Sequence, residues 1–166
     1  MVITSARRVV SLLSGVIIFM TALPVHAVIR PAPVPLYGYY KSFLDRSKQT
    51  FNGRLVDASF RPRIQTENFS THCNASGCIA HLPNMHPLPQ SPKFIEYHWV
   101  NDRWETTGDD LFYCKDGSKV KSILFEFFKP SSDGSFSGER ILKISGKGCP
   151  GDGPGTYRLP IKLTPI

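Results

Sequence analysis

The sequence predicts an all-β protein, a small antiparallel barrel with two disulfides, with a β-sandwich as the alternative. Three observations carry this. Apolar residues recur at every second position in several stretches, which is the period of strands with one buried face. Gly, Pro, Asn and Asp punctuate those stretches, and no useful helical period occurs beyond residue 27. All four cysteines, Cys73, Cys78, Cys114 and Cys149, lie behind an N-terminal segment patterned as an export signal.

That segment opens with Arg7 and Arg8, followed by an uncharged run of 15 residues from Val9 to Leu23. Val25 and Ala27 place small residues where signal peptidase needs them. The run is short of the roughly 20 residues of a membrane helix. A cleaved signal over 1–27 is expected, with an uncleaved N-terminal anchor as the alternative. Removing 27 residues from 166 leaves 139, enough for one domain with a real core. The formal charge falls from +7 to +5 as Arg7 and Arg8 leave. That surplus favours anionic surfaces, although the basic residues are scattered and form no run. Val28 to Pro35 holds three prolines in eight residues and reads as an extended tether. The folded body is expected over 36–166, in a secreted or extracytoplasmic setting.

The elements of that body follow in chain order. Strands are expected at Tyr37–Phe43, Arg54–Phe60, Phe69–Cys73 and Cys78–Leu82, with a short helical turn near Leu44–Thr50. Phe94–Val100 alternates, with Ile95, Tyr97 and Trp99 on one face. Asn101-Asp102 turns the chain, and Arg103–Thr106 returns it. Leu111–Cys114 is a further strand, and Asp109-Asp110 after Gly108 reads as a turn. Lys119–Lys129 is the longest candidate, with Ile123, Phe125 and Phe127 on one face and Leu124 and Phe128 on the other. Pro130–Gly134 is a loop with Asp-Gly turn chemistry, answered by Phe136–Ile144. Tyr157–Leu163 alternates with Tyr157, Leu159, Ile161 and Leu163 inward. Pro160 lacks a ladder donor, so this strand is expected at an edge or locally distorted. Consecutive hairpins favour a barrel, since closure removes exposed edges.

Four cysteines allow three pairings. The expected ones are Cys73–Cys78, which clips a tight turn, and Cys114–Cys149, which joins a strand end to the glycine-rich loop Gly146–Gly155. His72, His81 and His86 lie close to the first pair and are the ligand types zinc or copper accepts. A disulfide would remove the thiolates, so no metal and no cofactor is expected, and the histidines are a weak alternative. Tyr97, Trp99, Trp104, Phe125 and Phe127 are the candidate ligand-binding residues, able to line a cavity for an apolar ligand. Their ordinary role would be core packing. No nucleophile elbow, P-loop, dinucleotide fingerprint or calcium loop occurs. In Gly134-Ser135-Phe136-Ser137-Gly138 the central residue is Phe136, not serine. Glu96, His98 and Glu126 are the residues a hydrolase would have to bring into one pocket.

Thr71-His72-Cys73-Asn74-Ala75-Ser76-Gly77-Cys78-Ile79-Ala80 resembles the S-x-C-x-x-x-G-C-x-A segment of a family of small extracytoplasmic β-domains in mycobacteria. The resemblance continues through the aromatic strand Phe94–Trp104, the cysteine before an Asp-Gly turn at Cys114–Gly117, and the returning strand to Leu142. It ends with Cys149 and Pro160–Leu163, so it spans about Tyr37 to Ile166. It implies an exported sensor or binding module, supports the two bridges, and brings no catalytic residues. The expected function is therefore a secreted, non-enzymatic binding domain for an anionic envelope component, an apolar or lipid ligand, or a host surface. The alternatives are a secreted hydrolase using carboxylate and histidine residues, or a structural or adhesive surface protein. A monomer with no nucleic-acid partner is expected.

Overall fold

Every strand neighbour in this chain is antiparallel, and the strand order returns to its starting point. The computed structural model describes residues 32–85, 92–114, 116–149 and 153–166. Its strands are β1 (Gly38–Leu44), β2 (Thr50–Phe51), β3 (Arg54–Leu55), β4 (Arg63–Asn74), β5 (Gly77–Pro83), β6 (Phe94–Val100), β7 (Arg103–Tyr113), β8 (Lys119–Pro130), β9 (Phe136–Ile144) and β10 (Gly155–Pro165). A 3-10 turn at Arg46–Lys48 follows β1. The ladder runs β1-β4-β5-β6-β7-β8-β9-β10, and β1 pairs again with β10 to close an eight-stranded barrel. The β2–β3 hairpin hangs on β10 beside the end of β1.

Turn chemistry sets the hairpins. Asn52 and Gly53 between β2 and β3, and Asn101 and Asp102 between β6 and β7, all have positive φ. Two consecutive left-handed residues give the type I′ turn whose twist matches the strands it joins. At Gly138, a Cβ would fall 1.7 Å from the Phe127 carbonyl oxygen, so only glycine allows β9 to approach β8 there.

Several elements depart from the sequence reading. β3 ends at Leu55 rather than Phe60, because Asp57 accepts from the Ser59 amide and hydroxyl and turns the chain out of the sheet. β4 begins at Arg63, six residues before the expected start, since Arg63–Phe69 pairs along the whole of β1. Gly108-Asp109-Asp110 is no turn. It lies inside β7, opposite Leu124, Ile123 and Ser122 of β8, and the continuous ladder overrides its local turn preference. β10 is not an edge, but it is distorted at Pro160. There its neighbour on one side changes from β2 to β1, and the Pro160 carbonyl accepts from the Asp45 amide at 2.9 Å. The amide and carbonyl of a strand residue face the same side. The missing N–H of Pro160 therefore falls where β1 has already left the sheet.

Residues 1–27, read as a signal, lie outside the described residues. The described end of the proposed tether is bonded to the barrel. The Trp104 indole N–H donates to the Val34 carbonyl at 2.8 Å, Thr71 Oγ1 donates to the Leu36 carbonyl, and Leu36 is fully buried.

One half of the barrel interior is packed with aromatic rings. Tyr40 meets Phe69 and Phe136 edge-on, and Phe69 meets Tyr97 and Phe128. Trp104, Tyr97 and Phe128 are fully buried. Edge-to-face rings at these spacings add to their area burial.

Both expected disulfides are present, at opposite ends of the barrel. Cys73–Cys78 links facing residues of the β4–β5 hairpin, five residues apart, and Cys114–Cys149 spans 35 residues from the end of β7 to the β9–β10 connection. In the chain-entropy account, the longer closure stabilises by about 4 kcal/mol and the shorter by about 2. Cys114 and Cys149 are also buried, whereas Cys73 is exposed. Cys114→Ser should therefore lower the melting temperature by about 5–10 °C more than Cys73→Ser. Equal losses by scanning calorimetry would contradict this ranking.

Candidate functional site

The barrel interior is layered along its axis. Above the aromatic plug lies a polar layer, and above that an open mouth. The polar layer comes from inward positions of three adjacent hairpins. Glu126 of β8 and Arg140 of β9 are direct cross-strand partners, and the Arg140 Nε donates to Glu126 Oε2. The Tyr97 hydroxyl of β6 donates to Glu126 Oε1 at 2.6 Å. Glu126 is 1% exposed, so both of its oxygens are satisfied within the protein. Burial opposes the charge on Arg140, but attraction to Glu126 and their hydrogen bond outweigh it and raise the Arg140 pKa. Burial, then the Glu126 charge, pushes the Tyr97 phenol well above its ordinary value.

Glu67 of β4 shares this layer. Gln65 donates to its Oε1, while its buried Oε2 has no hydrogen-bond partner among the described residues. Burial raises its pKa, and the nearby Glu126 charge raises it further, against the lowering effects of Gln65, Arg140 and the Ser42 hydroxyl beside it.

The mouth is at the end where β1, β7 and β9 stop and β4, β8 and β10 start. A cavity of about 290 Å³ opens there. Its apolar wall is Leu44, Leu142 and Leu159 with the rings of Phe112 and Tyr157, which stack at 4.3 Å between centroids. Arg46, Arg63, Arg140 and Gln49 supply the polar part of the lining. The Arg46 guanidinium also lies 4.9 Å from the centre of the Phe60 ring. The rim is tied by Cys114–Cys149 on one side and bounded by the 3-10 turn on the other.

The residues singled out from sequence fall on two faces of the wall. Tyr97 and Trp104 are in the interior plug, and the partly buried Trp99 packs against it, 5.4 Å from Trp104. Phe125 and Phe127 are on the outer face, where the Arg103 guanidinium lies 5.9 and 4.4 Å from their ring centres. These five residues do not share one cavity. Trp99 and His98 border a second hollow of about 300 Å³, beside the Cys73–Cys78 hairpin. His72 and His81 meet on the outer face at 5.6 Å, and His86 lies outside the described residues. Glu96 sits between His81 and His98, at 3.6 and 3.9 Å. No cluster able to hold a metal ion occurs among the described residues. Glu96 and His98 face outward while Glu126 faces inward, so these three candidates for acid–base chemistry do not converge.

Sequence reasoning passed over Arg46, Arg63 and Arg140. Arg140 carried a usable signal. It alternates with Phe136, Leu142 and Ile144 on the inward face of β9, and its hairpin partner is the inward Glu126. Arg46 carries none, because the 3-10 turn alone brings it to the mouth, whereas Arg63 opens β4 in register with Gln65 and Glu67 and went unread with the rest of that half-strand.

Two outcomes follow. Arg140→Leu leaves a buried carboxylate without its cation and should cost about 3–5 kcal/mol. Adding Glu126→Gln removes that charge but keeps an acceptor for Tyr97, so the double variant should recover much of the loss. Additive losses in chemical denaturation would refute the coupling. For Glu67 the folded pKa is raised, so its protonated form fits the fold, and stability is lost as pH rises above the ordinary value of 4.5. Glu67→Gln should raise the melting temperature at neutral pH, and the gain should fade below about pH 4. A gain that persists in acid would contradict that linkage.

No protein-family model and no curated protein matches the chain. Among solved structures it is similar to one described as the monomer form of the M. tuberculosis PknI sensor domain. The two share 17% identity at a TM-score of 0.63, over 82% of this chain and 90% of that one. At that identity the likeness is one of fold: an all-β domain of the same architecture.

Proposed function

We propose that this chain is an exported, extracytoplasmic binding domain of the mycobacterial sensor-domain kind, acting as a monomer and without catalysis. In this reading 1–27 is a cleaved signal and 28–35 leads from it to the barrel. The observation that carries the proposal is the asymmetry of the interior. The core at one end is filled by aromatic rings, while the other end opens as a cavity walled by apolar side chains with a few convergent polar groups. That combination is the usual form of a small-ligand site. Two disulfides suit an oxidising compartment. The fold it shares with a kinase sensor domain supports a sensing or binding role. The candidate acid–base residues are split between the two faces of the wall, which disfavours the hydrolase alternative.

Native mass spectrometry of the protein exported by a mycobacterial host tests this. The expected species is a monomer starting at Val28, lighter by four hydrogens for its two disulfides, with a non-covalent small-molecule adduct. Leu142→Trp, which fills the cavity, should abolish the adduct. A bare wild-type chain, or an adduct that survives Leu142→Trp, would overturn the proposal.

A further inference from the structure

We infer that the ligand of the barrel mouth is a compact organic anion: a carboxylate or phosphate monoester on a ring-sized apolar body. This rests on the reading of the mouth as the binding site and names the chemistry it selects. Three arginines, Arg46, Arg63 and Arg140, line one cavity. Among the described residues no carboxylate pairs with Arg46 or Arg63. Among the described residues, the mouth therefore carries more positive charge than is paired.

Arg140 is the most informative of the three. Its Nε is committed to Glu126, which fixes the plane of the guanidinium. Its two terminal nitrogens make no hydrogen bond among the described residues, and the side chain is 23% exposed where it lines the cavity. A guanidinium held by Nε presents its far edge as a two-pronged donor, and that edge matches the two oxygens of a carboxylate or phosphate. Tyr97 and Glu126 beneath it are the support that keeps such a fork in place.

The remaining lining sets the rest of the ligand. The Phe112–Tyr157 stack, Leu44, Leu142 and Leu159 offer apolar surface beside the guanidiniums. A volume of about 290 Å³ is at the small end of the range for ligand pockets, about 300–1,000 Å³. It suits one ring or a short chain.

The test is isothermal titration calorimetry on the mature chain at low salt, with 2-naphthoate, phenyl phosphate, neutral 2-naphthamide and inorganic phosphate as separate probes. Vesicles of phosphatidylglycerol, in a co-sedimentation assay, form a further arm. The two organic anions should bind saturably, with naphthamide and inorganic phosphate each about tenfold weaker or more. Arg46→Gln with Arg63→Gln, at exposed positions that leave the core intact, should weaken the anions about tenfold and flatten their salt dependence. If naphthamide binds as tightly as naphthoate, the anion assignment fails while the cavity remains a binding site. If no organic probe binds, both readings fall. If inorganic phosphate matches the organic acids, the apolar body has no role and the inference is overturned. Vesicle binding without small-acid binding overturns it in favour of a membrane surface.

Discussion

The barrel depends on one seam, the pairing of its first strand with its last. Tyr40–Leu44 of β1 faces Ile161–Pro165 of β10, and this ladder turns a twisted sheet into a closed wall. Neither disulfide crosses it. One lies within the β4–β5 hairpin, and the other joins the β7 end to the β9–β10 connection. The seam is held by backbone hydrogen bonds and by the side chains behind them, with Leu44, Ile161 and Leu163 buried. Its partners are more than a hundred residues apart, so loop entropy is spent before the contacts form, a known cause of slow folding in β-barrels. The gain is that, among the described residues, closure leaves no free sheet edge except the short β2–β3 hairpin.

A closed wall of eight strands has to be filled, and this one is filled unevenly. Aromatic rings occupy the end near the Cys73–Cys78 hairpin, and charged groups occupy the middle. Burying a salt bridge rarely adds stability over an apolar pair, because desolvation offsets the attraction. The Glu126–Arg140–Tyr97 group is better understood as a platform with fixed geometry. Every Glu126 oxygen has a donor, so the group does not rearrange cheaply. Glu67 is the exception. It is buried, its Oε2 has no hydrogen-bond partner among the described residues, and burial favours the neutral form of its carboxyl.

Much of the wall was legible in the sequence. β6 and β9 match the expected spans because their ends carry turn residues and their inward positions are mostly apolar, Arg140 of β9 being the exception. The same reasoning missed the first half of β4, where the inward positions are Gln65 and Glu67 and the apolar Ile64 faces out. β8 shows the same inversion. Phe125 and Phe127 look like core on hydropathy, but they lie outside under Arg103, while Ser122 and Glu126 face in. Alternation marks a strand without saying which face is the interior. The candidate site was harder to read for the same reason. It is built from inward polar residues of the strands, Arg63 and Arg140 among them, and from Arg46 of the 3-10 turn, which the closed topology brings together.

The position of the mouth follows from where β1 stops. After Leu44 the chain leaves the sheet through the 3-10 turn and returns as β2 on the same side of β10, so the wall is interrupted between Leu44 and Thr50. Pro160 stands in β10 opposite that interruption, where its missing donor costs nothing. Arg46 and Gln49 belong to the excursion itself and are carried to the cavity by it. Across the opening, Cys114–Cys149 holds the β7 end to the β9–β10 connection, so the facing rim is covalently fixed. One rim is thus made by a break in the wall and the other is stapled against fraying. A cavity held this way has little left to order when a ligand enters, and a preorganised site keeps more of its contact energy as affinity.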